Sequence, residues 1–595
     1  MQKKFEIIIQ DEQTKLTRFK QRHNIVGYLK MMLLILFAIS IYWWVKRPDL
    51  LPCKIGAALL FLMQVFLWIY HNYLGDVIAH SNGIVEICQR NIDRINGKWT
   101  MFKDVGEEFA DAEHHYCCDL DIVGEKSLFQ YMNVTHTWHG RKAFADDILH
   151  AHYDGQKIKK RQLAIKELSD DISFQSELEY RFSQIGCDST ATTLVEELKD
   201  NKPFMSNKII RLFLECFSLA IFLFGVLTVT FRWQQFNRIV ICLYAAQTLI
   251  WLLGAPFVNK YLGKINRLPF KLNAYNNVIS FIAKSSFKSE QLCKIQEDLS
   301  KSDFSAVRAI KELAKISDRT EVRSNSIIYI ILNILFLWDL RCAFQFEDWK
   351  SKYFAYCEKW FLALGEIESL SCFSVLINTC DNICFPVMRQ KHGLEVKELA
   401  HPLLSNKGRV SNSLKLNNDV IIISGSNMSG KSTFLRTVGI NIVLARAGSV
   451  VCAKEMFFSD MHVVTSMRLV DSLNEGISTF YAELIRIKKI LKISQDNSNT
   501  LFLIDEIFRG TNSVDRLSGA RTVISKLSQS EVSGMITTHD LELCELESSL
   551  PNVKNYNFSE YYEGGKIIFN YKMQQGKSTK TNAKYLMEMI GIRSD

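Results

Sequence analysis

The chain has 595 residues, of which 48% are hydrophobic and 11% aromatic; this is too long for one domain and supplies enough apolar side chains for several large cores. Its 72 basic and 63 acidic residues leave a net charge of +9, which is small for this size and gives no argument from charge alone for nucleic-acid binding. The fifteen cysteines are scattered, without C-x-x-C pairs, which excludes a disulfide scaffold and reads as thiols in a reducing compartment.

Residues 1–24 are polar and basic, with Lys3, Lys4, Lys15, Arg18, Lys20 and Arg22, and are too charged for a signal-peptide leader. Two apolar runs follow, Met31 to Val45 and Ile55 to Tyr70, separated by Lys46, Arg47, Pro48 and Lys54. Each is shorter than the ~20 residues that cross a bilayer. Tyr28, Trp43, Trp44, Trp68 and Tyr70 extend them into the interfacial zone that aromatics favour, so a transmembrane hairpin is expected. Next, His114, His115, Tyr116, Cys117 and Cys118 are contiguous, and adjacent ligands rarely converge on one ion, so they read as structural. The stretch Gly124 to Asn133, then Thr135, Thr137, Gly140 and Arg141, leads into a helical pattern ending at Leu149, and a polar-apolar helical spacing continues to Leu168.

A second apolar pair, Cys216 to Phe231 and Ile239 to Val258, is joined by residues 232–238; its second member runs 20 residues without a charge. Two pairs of buried core helices are the alternative. Run length, terminal aromatics and short connectors favour membrane insertion, and four crossings return the chain to its starting side. Residues 261–325 continue as charged amphipathic helices. Ile327 to Trp338, with 12 residues and an internal Asn333, is expected to be a core helix. Trp349, Trp360, Leu362, Leu364, Ile367 and the segment Glu368 to Cys372 form an apolar stripe of the kind that packs.

The last third carries the chemistry. Val420 to Ile423 reads as a strand buried on both faces. The segment Gly425-Ser426-Asn427-Met428-Ser429-Gly430-Lys431-Ser432-Thr433 then satisfies G-x-x-x-x-G-K-[ST], whose backbone N–H groups wrap a polyphosphate at a helix N-terminus. Lys431 is expected to reach the β- and γ-phosphates of ATP, and Ser432 to offer its hydroxyl to Mg2+. Thr500 to Ile504 is a second apolar run ending in Asp505 and Glu506: Asp505 suits the metal shell, and Glu506 suits polarisation of the attacking water. A third strand, Met535 to Thr538, delivers His539 to the same sheet edge, where it is expected to sense the γ-phosphate. At the end of the chain, Tyr556 to Tyr562 and Ile567 to Met573 flank Glu-Gly-Gly-Lys, a hairpin signal, and a final helix is expected over Asn582 to Ile590.

The runs 426–436, 505–512 and Thr537-Thr538-His539 resemble the ATPase domain of the MutS DNA mismatch repair family. The resemblance implies that His401, in Ala400-His401-Pro402-Leu403, lies near the nucleotide base. It also implies that Ser478, in Gly476-Ile477-Ser478-Thr479-Phe480 with Glu483, reaches the partner's nucleotide across a dimer, and that the closing segment with Gly576 and Ala583 supports dimer contacts. The 124–149 stretch is similar to the start of the MutS core, and residues 349–372 to its long core helix. Three positions depart from the family pattern: Ser426 for proline, Ile477 for arginine and Phe508 for glycine. The family's F-x-E mismatch wedge has no counterpart except Phe213-Leu214-Glu215 at the edge of a membrane segment, and the first 100 residues leave no room for a reading domain.

The expected fold class is therefore multidomain: an α/β P-loop ATPase domain of MutS/ABC-like type, preceded by an all-α core and lever region and two transmembrane helical hairpins. The expected domains are 1–75 (basic N-terminus and hairpin), 76–208 (helical core), 209–260 (second hairpin), 261–385 (helical core and lever) and 386–595 (ATPase). The expected function is a membrane-anchored, MutS-like ATPase, multi-pass in the inner membrane with its ATPase in the cytosol. It would hydrolyse ATP with Mg2+ as a homodimer and contact membrane lipid; DNA binding stays open and mismatch recognition is not expected. The alternative is an ABC-type transporter subunit with fused membrane segments. Arg516-Leu517-Ser518-Gly519 has the character of the transporter signature, but it follows the Asp505 strand, whereas in transporters the signature precedes it.

Overall fold

The computed structural model describes residues 2–47, 51–151, 153–186, 204–205, 208–263, 269–300, 304–468, 479–497, 499–508, 513–563 and 566–578. The chain forms two compact units, one of residues 1–133, 145–180 and 372–595, the other of residues 134–144 and 181–371.

In the first unit the helices Gln2–Lys46 and Leu51–Ile95 pair along their length, so the first hairpin is far longer than its apolar runs. Two small seams hold it. Val26, Leu33, Leu67 and Leu74 form one and Phe5, Ile84, Cys88 and Ile92 the other, where Ile172 and Tyr180 also pack. Most of the large side chains around the first seam and toward the turn of the hairpin face outward, among them Phe61, Phe66 and Trp68. Tyr116 and Cys117 of the His-Cys cluster are buried, and Tyr116 donates its hydroxyl to Leu149 O at 2.6 Å, so this segment serves packing.

Among the described residues ten strands follow: β1 (Val387–Met388), β2 (Leu394–Leu399), β3 (Asn412–Leu416), β4 (Val420–Gly425), β5 (Glu455–Phe458), β6 (His462–Ser466), β7 (Thr500–Ile504), β8 (Ser533–Thr538), β9 (Val553–Glu563) and β10 (Lys566–Gln575). They make a four-stranded sheet, β1-β5-β2-β3, and a six-stranded sheet, β10-β9-β4-β8-β7-β6. In the larger sheet every neighbouring pair is parallel except the β9–β10 ribbon. Register puts Ser424 opposite Thr538, and Ile504 opposite Ile536. The loops after β4, β7 and β8 therefore leave from one edge, the C-terminal edge where ligands of such sheets gather.

The second unit is helical. The helix Trp138–Leu149 begins inside it, and Thr137 Oγ1 accepts from Gly140 N at 3.0 Å to cap that start. The buried Glu368 carboxylate accepts from His136 N at 2.6 Å and Thr137 N at 3.2 Å, and also from the Thr137 hydroxyl. A Cβ on Gly140 would collide with Glu368, which explains the glycine in the T-x-x-G-R turn. In the stripe expected to pack, Trp349, Trp360, Leu364 and Ile367 are buried, but Leu362 is 60% exposed.

The run Ile327 to Trp338 is not a core helix. It forms Ser326–Phe336, of which only Asn333 is buried, while Ile327, Ile328, Ile330 and Ile331 are exposed. It lies along the helices Lys208–Thr230 and Asn237–Leu262, with Gln247 donating to Ile334 O at 2.9 Å. Its shortness suggested burial in protein, but its apolar face is left uncovered.

Among the described residues five helices are long and apolar enough to cross a membrane: Gln2–Lys46, Leu51–Ile95, Ile209–Thr230, Gln234–Leu262 and Trp338–Thr379. The last has 78% of its most apolar window buried and is accounted for by protein packing, whereas the other four bury at most 17% of theirs.

Candidate functional site

The site begins where β4 ends. Val420 to Ser424 are all buried, and Gly425 turns the chain at φ 149°. A Cβ there would stand 2.6 Å from Phe558 O, so the loop can pass β9 only with glycine. Gly430, at φ 105°, starts the helix Lys431–Arg446, whose first-turn N–H groups have no helical partner and suit an anion. Between them Met428 is 83% exposed at the loop tip.

Lys431 is buried, and its ammonium bridges the loop, donating to Gly425 O and Ser426 O at 2.8 Å each. Ser426, where the resemblance expects proline, donates to the buried Glu560 Oε2 at 2.7 Å and so ties the loop to β9. Across the edge, Thr537 holds both carboxylate-bearing residues. Its hydroxyl donates to Asp505 Oδ1 at 2.6 Å and accepts from Glu506 N at 2.9 Å. Glu506 sits at φ 52°, and His539 Nε2 is 2.9 Å from its Oε1. His539 thus meets Glu506 directly and is placed to orient it.

Lys431 and Glu506 line one cavity of about 460 Å³. Asn427 to Thr433 form one wall; Glu506, His401 and Tyr571 contribute to the others. His401 is held neutral by burial, helped by Arg436 and Arg409, with its pKa pushed down to about 4. Asn441 secures the His401 segment, donating to Ala400 O at 3.1 Å and accepting from Cys452 N at 2.9 Å. Gly425 and Ser426 stand at the strand-to-loop turn, and Asp505 directly follows β7 beside Glu506. Ser478 lies outside the described residues, as do Ile477, Arg509 to Asn512 and the final helix.

Sequence reasoning missed Tyr571 and Glu560. Tyr571 comes from β10, at φ 53° within a register shift between Phe569 and Met573, and its ring would lie 3.1 Å from a Cβ on Gly430. Asn412 fixes that bulge, donating to Tyr571 O at 3.0 Å and accepting from Met573 N at 2.9 Å. Only the aromatic, hairpin-like character of the segment hinted at it.

The donor set fits magnesium. Ser432 and Asp505 offer hard oxygens, and among the described residues Asp505 Oδ2 has no protein partner. The parallel sheet, the loop at its C-terminal edge and the carboxylates opposite define a P-loop nucleotide-binding domain. Its more particular similarity is to MutS: residues 421–594 match MutS domain V. The DNA mismatch repair protein MutS of Bacillus cytotoxicus is 31% identical over 237 residues, 38% of this chain and 26% of that protein. MutS of Dehalococcoides mccartyi is 31% identical over 242 residues, 39% of this chain and 28% of that protein. MutS of Persephonella marina is 32% identical over 214 residues, 35% and 24% respectively. The chain thus spans about a quarter of the length of the curated relatives it matches.

Proposed function

We propose that this chain is a membrane-anchored ATPase of the MutS type, which binds ATP with Mg2+, hydrolyses it as a homodimer and does not recognise mismatches. The observation that carries the reading is the cavity shared by the Lys431 loop and Glu506, whose backbone N–H is held by the Thr537 hydroxyl that also bonds Asp505. Lys431 and the loop N–H groups hold the β- and γ-phosphates. Ser432 and Asp505 hold the metal, which when bound neutralises charge developing on the phosphates. Glu506, oriented by His539, takes the proton of the attacking water.

Anchoring is supported by the four apolar helices that protein leaves uncovered. They form two hairpins inserted in a bilayer, with both chain termini and the ATPase in the cytosol. Ser478 completes the partner's site in the dimer, and any DNA contact is to phosphates. The transporter alternative loses its motif: Arg516 pairs with Asp540 at 2.8 and 2.9 Å, and Gly519 packs under Phe508.

The test is nucleotide binding and turnover by detergent-extracted protein. Lys431→Ala should abolish ATP binding, whereas Glu506→Gln should bind ATP and accumulate as an ATP-loaded dimer. Equal ATP affinity in Lys431→Ala and the parent would remove the assignment.

A further inference from the structure

A second cavity, of about 250 Å³, lies in the first unit away from the phosphate loop. Its walls are the end of the helix Leu51–Ile95 with Arg94, then Trp99, Tyr131 and Cys380, and the segment Pro402 to Asn406. Arg94 is 3% exposed. Its guanidinium donates to Tyr131 O at 2.7 Å, Asn91 Oδ1 at 2.9 Å and Asn133 O at 2.9 Å. Those bonds commit three of the five N–H donors that an arginine carries. Among the described residues no carboxylate stands within ion-pair distance of it, and burial draws its pKa down to about 10. Glu179 acts on this cation only from a distance, so a buried cation whose hydrogen bonds all go to neutral acceptors is costly, and an anion in the adjoining space would reduce that cost.

The remaining walls limit the anion. Trp99 and Tyr131 meet edge to face at 5.3 Å, and Pro402, Leu403 and Ile95 are apolar. Trp99, 6% exposed, belongs to the same wall, and its indole N–H makes no hydrogen bond among the described residues. One guanidinium and one indole N–H suffice for a carboxylate but leave a phosphate dianion short of donors. The same wall segment also serves the nucleotide. His401, Leu404 and Gly408 line the nucleotide cavity, while Pro402 to Asn406 line this one, and Leu404 borders both.

We propose that the Arg94 cavity is a second ligand site, which takes a small carboxylate with an apolar body the size of one ring and alters nucleotide affinity through the segment 401–408. The carboxylate pairs with Arg94 and Trp99 Nε1, and the apolar body lies against Tyr131 and Pro402. Occupation fixes Leu404, and thermodynamic reciprocity requires that nucleotide in turn changes the affinity for the carboxylate. The coupling rests on the nucleotide-site reading; the binding does not.

The experiment is 19F NMR of 4-fluorobenzoate with the full detergent-extracted chain, its nucleotide cavity saturated with a non-hydrolysable ATP analogue. Thr100 lines the cavity at its exposed rim, so Thr100→Trp should fill the space. Parent protein should broaden the resonance and Thr100→Trp should not, while Arg94→Gln should bind about tenfold more weakly through loss of a charged hydrogen bond. In a separate titration 4-fluorobenzoate should shift the affinity for the analogue by about threefold or more in the parent and leave Thr100→Trp unchanged. Retained analogue affinity in Thr100→Trp shows that it folds. No broadening by the parent, or equal broadening by Thr100→Trp, overturns the site. Broadening without any change in analogue affinity overturns the coupling, and failure of every variant to bind the analogue condemns the nucleotide reading while the 19F result still stands.

Discussion

Thr537 and Phe508 show how single residues set this site. The Thr537 hydroxyl bonds to both Asp505 and Glu506, and Thr537→Val removes it at nearly constant volume. ATP turnover should fall by about tenfold or more with little change in ATP affinity, as expected when positioning of the water-activating group is lost; an unchanged kcat would rule out that role. Phe508 occupies φ 62° where the resemblance expects glycine, and its ring is buried against Gly519 and Phe480. Left-handed backbone costs a bulky residue ~1–2 kcal/mol, while deleting a buried phenyl ring costs ~3–5 kcal/mol. Packing wins, so Phe508→Gly should lower the stability of this domain by about 2 kcal/mol in denaturant titration despite relieving the backbone. His401 gives a pH signature. Its folded pKa of about 4 lies below the ordinary 6.5, so the unfolded chain takes up a proton that the folded one refuses. Stability should therefore be full above about pH 6.5 and decline as pH falls toward 4; His401→Gln should flatten that decline.

At the scale of elements, the sequence disclosed what is local. The phosphate loop, the Asp505 strand and the β9–β10 hairpin were all legible, because glycine and lysine of the loop stand at fixed short spacings, the β4 and β7 strands carry unbroken apolar runs and Glu-Gly-Gly-Lys marks the hairpin turn. Tyr571 was not, since a ribbon formed far downstream and a bulge pinned by Asn412 bring it to the loop. Helix Ser326–Phe336 differs from the expected core helix because run length does not reveal whether other parts of the chain cover an apolar face, and its isoleucines are exposed. Glu368 read as one member of a packing stripe, yet it is the acceptor for the turn at Thr137. Glu368→Ala would leave buried N–H groups without a partner, each worth ~1–3 kcal/mol. It should destabilise the helical unit by several kcal/mol, read as a lower unfolding midpoint in calorimetry, and Glu368→Gln should recover part of the loss.

For the whole molecule the account joins a MutS-like nucleotide domain to uncovered apolar helices, with a modest net charge of +9. Any DNA binding should come from phosphate contacts, weaken steeply with salt, and prefer a mismatched duplex by less than about tenfold, or ~1.4 kcal/mol. Titration of matched and mismatched duplexes at two salt concentrations reads both quantities; a larger preference would reveal a reader of mispaired bases. The central claim is that catalysis and membrane insertion belong to one molecule. Its most direct test is Mg2+-dependent ATP hydrolysis in membranes washed with alkaline carbonate, comparing the parent chain with Glu506→Gln. The account predicts that protein and activity stay in the pellet, and that Glu506→Gln stays there equally while losing hydrolysis by about a hundredfold or more. Protein released to the supernatant, or pellet activity indifferent to Glu506→Gln, would contradict it.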